Sequence, residues 1–257
     1  MCHPEDSDIR AEPQAASPVL IPLPDEQMPG WLAAPGGDGS RRVLIVHDVF
    51  GPSAFYQDLA IRLEKAGFLA LLPDFFFREG PLQEASLPAA YERLSHADDH
   101  LLLRDAHAAA HWLRNHDDPV DRIGIVGFCW GGTQVLVMAA ERRDVATVCY
   151  YGMPADPKYF SDPQSPRPLD LVDSITGSVL GLWGDQDTRA GMDNVRKFLE
   201  VARMRGVDVE GHIFPGAGHG FMSRAGGPDD PASNAVGQAW DRTIGFLTDQ
   251  LREDVDG

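Results

Sequence analysis

Gly127-Phe128-Cys129-Trp130-Gly131-Gly132 contains the side chain best placed in this sequence to act as a nucleophile. It follows an apolar run, Ile123 to Phe128, that reads as a strand, and it precedes a helical pattern from about Gly131 to Arg142. A chain that passes from strand to helix so abruptly needs small residues on both sides of the turn. The central side chain is then left projecting above the carboxyl edge of the sheet, as in a nucleophile elbow. Cysteine stands here where serine is more usual. A thiol at a helix amino terminus meets the partial positive charge of unpaired N–H groups, which favours the thiolate, and a nearby histidine can take up the proton.

The remaining members of a triad follow in the order nucleophile, acid, histidine. Asp187 lies just past a strand ending at Trp183, and His219 just past one ending near Phe214. Parallel neighbouring strands place their carboxyl ends on one edge, so residues far apart in sequence can converge there. In that arrangement Cys129 attacks a carbonyl, His219 shuttles the proton, and Asp187 fixes the imidazole tautomer. Asp185 and Asp193 are competing acids. The oxyanion formed on attack needs two N–H donors. One is the backbone N–H of Trp130, immediately after the nucleophile; the other is expected from Val49, in the loop His47-Asp48-Val49-Phe50-Gly51, with His47 supporting that loop.

Stepwise alternation of strand and helix supplies the frame. Val43 to His47 is followed by helical spacing from Phe55 to Ala66, and Phe68 to Leu72 by a helix between about Pro88 and Asn115. Beyond the elbow come a strand at Val145 to Tyr151, a strand at Ser178 to Trp183 and a helix from about Gly191 to Arg205. A strand at Val209 to Phe214 and a helix from about Asn234 to Leu251 close the series. The fold class is α/β, a mostly parallel sheet with helices on both faces. Residues 1–18 read as a loose acidic tail and 19–257 as one domain. Five prolines between Pro154 and Pro168 mark a long excursion between two strands.

Composition narrows the partners. The 257 residues carry a net charge of −17, with no basic run, which argues against nucleic acid and anionic membrane surfaces. Three scattered cysteines, Cys2, Cys129 and Cys149, make neither a disulfide framework nor a closed zinc site and fit a reducing cytoplasm. The amino terminus lacks the pattern of a secretory signal, and no run has the ~18 apolar residues of a membrane helix. His96, His100, His107 and His111 share one face at helical spacing, opposite Leu94, Leu101, Ala108 and Trp112. This reads as the solvated face of an amphipathic helix and not as a metal site.

The sequence resembles the dienelactone hydrolases (carboxymethylenebutenolidases), cysteine members of the α/β-hydrolase fold, from about Gly30 to Leu251. The resemblance rests on His47-Asp48-Val49-Phe50-Gly51, Leu72-Pro73-Asp74-Phe75, the elbow, Gly184-x-x-Asp187 and Gly218-His219-x-Phe221. It implies a Cys129–Asp187–His219 triad, hydrolysis of a small ester or lactone through an acyl-cysteine, and no metal or organic cofactor. Asp48 stands where the family's best-known members have a glutamate touching the resting thiol, so it is the residue expected to control that thiol. Those members bind the substrate carboxylate with two arginines, whose positions here are Leu87 and Ser223. Arg93 and Arg224 are the neighbouring cations, Tyr91 matches a pocket tyrosine, and Phe50 is a further candidate substrate contact. Two other classes fit the same residues: a noncatalytic α/β-hydrolase-fold binding protein, and a thiol redox protein using Cys129.

Overall fold

The computed structural model describes residues 16–36, 39–223 and 231–252. Its centre is the parallel series expected from the apolar runs. β1 (Ala16–Pro22) and β2 (Gln27–Ala33) lead into β3 (Arg42–Val46), α1 (Ala54–Lys65), β4 (Leu69–Pro73), α2 (Leu87–His96) and α3 (Asp99–Asn115). β5 (Ile123–Phe128), α4 (Trp130–Glu141), β6 (Val145–Tyr150), β7 (Val179–Gly184), α5 (Met192–Met204), β8 (Val209–Phe214) and α6 (Pro231–Gln250) complete the order. The sheet runs β1-β2-β4-β3-β5-β6-β7-β8, parallel from β4 to β8. Every residue of β3 to β7 is buried, the signature of strands covered on both faces.

Two glycines of β5 show how close the two helical layers come. A Cβ on Gly124 would lie 2.6 Å from Leu247 of α6, whereas one on Gly127 would meet α4. Residues three apart in a strand point to opposite faces, so α6 and α4 cover opposite sides of the sheet. Arg62 of α1 stacks over Trp240 of α6 at 4.1 Å, and His107 of α3 joins Glu141 of α4 at 2.9 Å.

Three expectations change. The residues 16–18 assigned to a tail belong to β1, which pairs antiparallel with β2, and β2 pairs antiparallel with β4. Prolines at 18, 22 and 29 hid this ribbon: Pro18 and Pro22 lie in the edge strand β1, where a missing N–H costs little, and Pro29 lies just before Gly30, where the register of β2 with β4 begins. Residues 1–15, including Cys2, lie outside the described residues. The single helix expected over Pro88–Asn115 is two. Asp98 caps the second, its Oδ1 accepting from the N–H groups of His100 (3.0 Å) and Leu101 (3.2 Å). That break removes His96 from the histidine row. The buried face of α3 is Leu102, Leu103, Ala106, Ala109, Ala110 and Leu113, so Leu101, Ala108 and Trp112 flank the core.

The proline-rich excursion is strapped down. The Ser161 N–H and hydroxyl donate to buried Asp99 at 2.8 Å each, Tyr159 stacks on His100 at 3.8 Å, and Lys158 pairs with Glu141. On the opposite end of the sheet, buried Arg42 opens β3 and satisfies the carboxyl end of α3. It donates to Leu113 O at 2.8 Å and Arg114 O at 3.1 Å, and also to Asp118 O. Terminal carbonyls of a helix lack intrahelical donors, and this arginine serves two of them alongside the His116 and Val120 N–H groups. Replacing it with methionine, Arg42→Met, is expected to lower the free energy of unfolding by about 2–4 kcal/mol. Urea melts of the two proteins read this directly, and a loss below about 1 kcal/mol contradicts the capping role.

Candidate active site

β5 turns into α4 at Cys129, whose backbone lies at φ 54° and ψ −116°, a region that side-chain-bearing residues rarely occupy. The turn is possible because its flanks have no side chains. A Cβ on Gly131 would sit 2.2 Å from Val46 O and 2.4 Å from His47 O, and one on Gly132 would sit 2.6 Å from Tyr150 O. One on Gly127 would meet Gly131 O at 2.2 Å. Helix α4 therefore starts in contact with the carboxyl ends of both neighbouring strands. The Cys129 N–H donates to Tyr150 O at 3.1 Å, and Thr133 returns a bond to Cys129 O at 3.1 Å. Cys129 is only 2% exposed.

Asp187 and His219 come together as their spacing predicts. His219 Nδ1 lies 3.0 and 2.9 Å from the two carboxylate oxygens of Asp187. Asp187 is buried, and its Oδ1 also accepts the N–H groups of Arg189 (3.0 Å) and Ala190 (2.8 Å). These contacts hold the carboxylate in one orientation. The pairing leaves Nε2 as the ring atom facing away from the acid. Neither competing acid reaches this histidine in such a bond: Asp185 accepts the Gly216 N–H at 2.8 Å, and exposed Asp193 pairs with Arg196.

Tyr151 was not singled out from the sequence. It follows β6 at φ 39°, and its ring packs edge-on against His219 with centroids 5.2 Å apart. Among the described residues only Asp117, Cys129 and Tyr151 have positive φ without being glycine, and two of these three border the site. A strained aromatic directly after a strand was the available signal, visible in sequence only as Tyr150-Tyr151-Gly152.

The loop after β3 is fully accounted for. The Asp48 N–H donates to Tyr56 Oη (3.1 Å), the Phe50 N–H to Asp48 Oδ1 (2.9 Å), and the Gly51 N–H to Asp48 O (3.2 Å). The remaining donor is that of Val49. His47 is wholly buried, with Nδ1 2.8 Å from Asp48 O and Nε2 accepting from the Phe75 N–H at 3.2 Å. Burial lowers its pKa to about 3, so the ring is neutral at physiological pH.

Arg93 turns onto this loop as well. Its guanidinium donates to Val49 O at 2.8 Å and Gly80 O at 3.0 Å, and covers Phe76 at 4.2 Å. Phe76 in turn packs on Trp130, with ring centroids 5.5 Å apart. Tyr91 lies beside Arg189, whose Nε is 3.5 Å from the phenol oxygen and whose guanidinium pairs with Asp156 at 2.7 Å. Arg189 was also missed; only its place two residues past Asp187 pointed to it. Leu87 opens α2, partly buried against the core, and Ser223 closes a single 3-10 turn. Arg224 lies outside the described residues. Cys149 is buried in β6 with its thiol pushed up to about 12 by desolvation, and neither it nor Cys129 is in a disulfide.

Comparison with known proteins gives one family. The model of the dienelactone hydrolase family matches residues 28–251. A carboxymethylenebutenolidase of Rhodococcus opacus is 30% identical over 254 residues, 96% of each chain. A Bradyrhizobium protein provisionally described as a 2-oxo-3-(5-oxofuran-2-ylidene)propanoate lactonase is 32% identical over 80% of this chain and 82% of its own. Among solved structures, a Klebsiella pneumoniae protein provisionally called a dienelactone hydrolase superposes with a TM-score of 0.81 at 28% identity, covering 91% of this chain and 98% of that one.

The strain at the elbow has a measurable consequence. Cys129→Gly relieves a conformation that Cys129→Ala keeps, so the glycine variant is expected to be the more stable by about 1 kcal/mol after glycine's own entropic cost. Paired urea melts check this, and an alanine variant as stable as the glycine one contradicts a strained turn.

Proposed function

The chain belongs to the dienelactone hydrolase family, and on that premise we propose that it hydrolyses a small ester or lactone through an acyl-cysteine on Cys129. The observation that carries this reading is the His219 Nδ1 contact with both oxygens of buried Asp187, on the same sheet edge as a cysteine at a strand-to-helix turn. In acylation, Sγ attacks the carbonyl carbon while the thiol proton passes to His219 Nε2. The carbonyl electron pair moves onto oxygen, which the Val49 and Trp130 N–H groups receive. Collapse breaks the carbon–oxygen bond to the leaving alkoxide, and His219 returns the proton to it. For a lactone that alcohol stays tethered to the acyl group. Water then attacks the thioester with His219 as base, breaking the carbon–sulfur bond and restoring the thiol.

Further assignments rest on sequence and position. Asp48, held by the Phe50 N–H, is assigned control of the resting thiol, with one methylene less reach than the glutamate it replaces. Phe50 and Tyr91 are assigned substrate contacts, and Arg224 is the candidate cation for an acidic substrate. Arg93 acts through the loop it holds. The substrate is a small molecule, and no metal or cofactor enters any step. No helix among the described residues is long and apolar enough to cross a membrane. The low cysteine content supports a cytoplasmic enzyme, with the chain from Ala16 onward as one domain.

Turnover of a chromogenic short-chain ester and a panel of lactones, with and without a carboxylate, tests the reading. Cys129→Ala is expected to abolish turnover and the acyl adduct seen by intact mass, and Asp187→Asn to lower kcat by about 10³-fold or more. Equal turnover by Cys129→Ala overturns the acyl-cysteine.

A further inference from the structure

We propose that His47 is a positioning residue that polarises and orients one of the two oxyanion donors, acting through the peptide bond between Asp48 and Val49. The inference rests on the hydrolytic reading above. One peptide group carries the Asp48 carbonyl at one end and the Val49 N–H at the other. His47 Nδ1 sits 2.8 Å from that carbonyl oxygen. A donor on the oxygen draws electron density along the peptide and makes the N–H at its far end a stronger hydrogen-bond donor, the cooperative effect of linked bonds.

The tautomer required for this is set by the backbone. The Phe75 N–H can only donate, and it points at Nε2 from 3.2 Å, so Nε2 carries the lone pair. The ring proton of neutral His47 is therefore on Nδ1, where it can only donate to Asp48 O. Burial keeps the ring neutral, and a second proton on Nε2 would face the Phe75 N–H donor head-on.

The surroundings remove the other freedoms of this peptide. The Gly51 N–H shares the Asp48 carbonyl at 3.2 Å, and Tyr56 Oη accepts the Asp48 N–H at 3.1 Å. Arg93 fixes the next peptide through Val49 O at 2.8 Å. Tyr56, Phe75 and Phe76 enclose the imidazole at centroid distances of 6.2, 5.2 and 5.4 Å, leaving it no alternative orientation among polar partners. Electrostatic preorganisation of this kind acts on the transition state and not on substrate binding, because charge reaches the oxygen only as Sγ attacks.

Side-chain amides separate the two bonds of His47. In His47→Asn the amide nitrogen replaces Nδ1 and keeps the donor to Asp48 O; in His47→Gln the amide reaches the Nε2 position and keeps the acceptor for Phe75. His47→Leu removes both. With a chromogenic ester, Gln and Leu are expected to lose about 10- to 100-fold in kcat with KM within about 3-fold. That is less than the ~10²- to 10³-fold cost of deleting an oxyanion donor outright. Asn is expected to recover at least about 10-fold in kcat over Gln, the donor being what matters. The Ki of a trifluoromethyl ketone, which forms a tetrahedral adduct with a thiol, is expected to rise by the factor that kcat/KM falls.

Gln equal to wild type in kcat, or Asn no better than Gln, overturns the inference while leaving the acyl-cysteine standing. A wild-type enzyme with no ester turnover overturns both. A measurement on the unaltered protein covers variants that fail to fold: ring ¹⁵N shifts of His47 are expected to show Nδ1 protonated and Nε2 bare, and the reverse tautomer overturns the inference.

Discussion

Helix α4 begins in van der Waals contact with the backbone of β3, and the geometry of the site descends from that contact. With glycine at 131, the first turn of α4 approaches the Val46 and His47 carbonyls more closely than any side chain permits. On the proposed mechanism, two donors for one oxygen must point at the same small volume. The Trp130 N–H comes from the helix start, and the Val49 N–H from the loop that continues β3. Because the glycine contact seats α4 directly on the backbone at the end of β3, the spacing of these two N–H groups is set by backbone packing and not by a flexible side chain. The same turn forces Cys129 into a left-handed conformation. The strain is offset by the buried strands on either side, which hold the turn rigidly.

Asp187 and His219 are positioned in a related way. Each sits one short turn beyond a strand, β7 and β8; Asp187 is held by two backbone N–H donors, and His219 by Asp187 and the edge-on ring of Tyr151. Electrostatically the loop after β3 is nearly closed on itself. Tyr56, Asp48, His47 and Arg93 take up the donors and acceptors around Val49. The desolvated guanidinium of Arg93 meets carbonyls already in place, those of Val49 and Gly80. The proline-rich excursion adds a fixed wall, tied through Ser161 to Asp99 and through Asp156 to Arg189.

Much of this was legible in the sequence, for identifiable reasons. β5 and β8 match their expected spans to the residue, β5 as a continuous buried apolar run and β8 as a mixed segment, VEGHIF, on the outer edge of the sheet. Cys129, Asp187 and His219 were readable because each stands at a strand end among glycines. The edge ribbon of β1 and β2 was not, since prolines that forbid a central strand are harmless at an edge. The break before α3 was present as Asp98, a capping residue inside an otherwise continuous helical pattern. Tyr151 and Arg189 were invisible for another reason. Their importance lies in what they touch across the fold, and no local pattern encodes a ring against a histidine from another strand.

The most direct measurement is a crystal structure of the enzyme treated with a trifluoromethyl ketone. Two backbone donors meeting one oxygen predict a ketone carbon bonded to Cys129 Sγ, with the oxygen about 2.7–3.1 Å from both the Val49 and the Trp130 nitrogens. An adduct on another residue, or a Cys129 adduct whose oxygen points to solvent or to side chains, would contradict it.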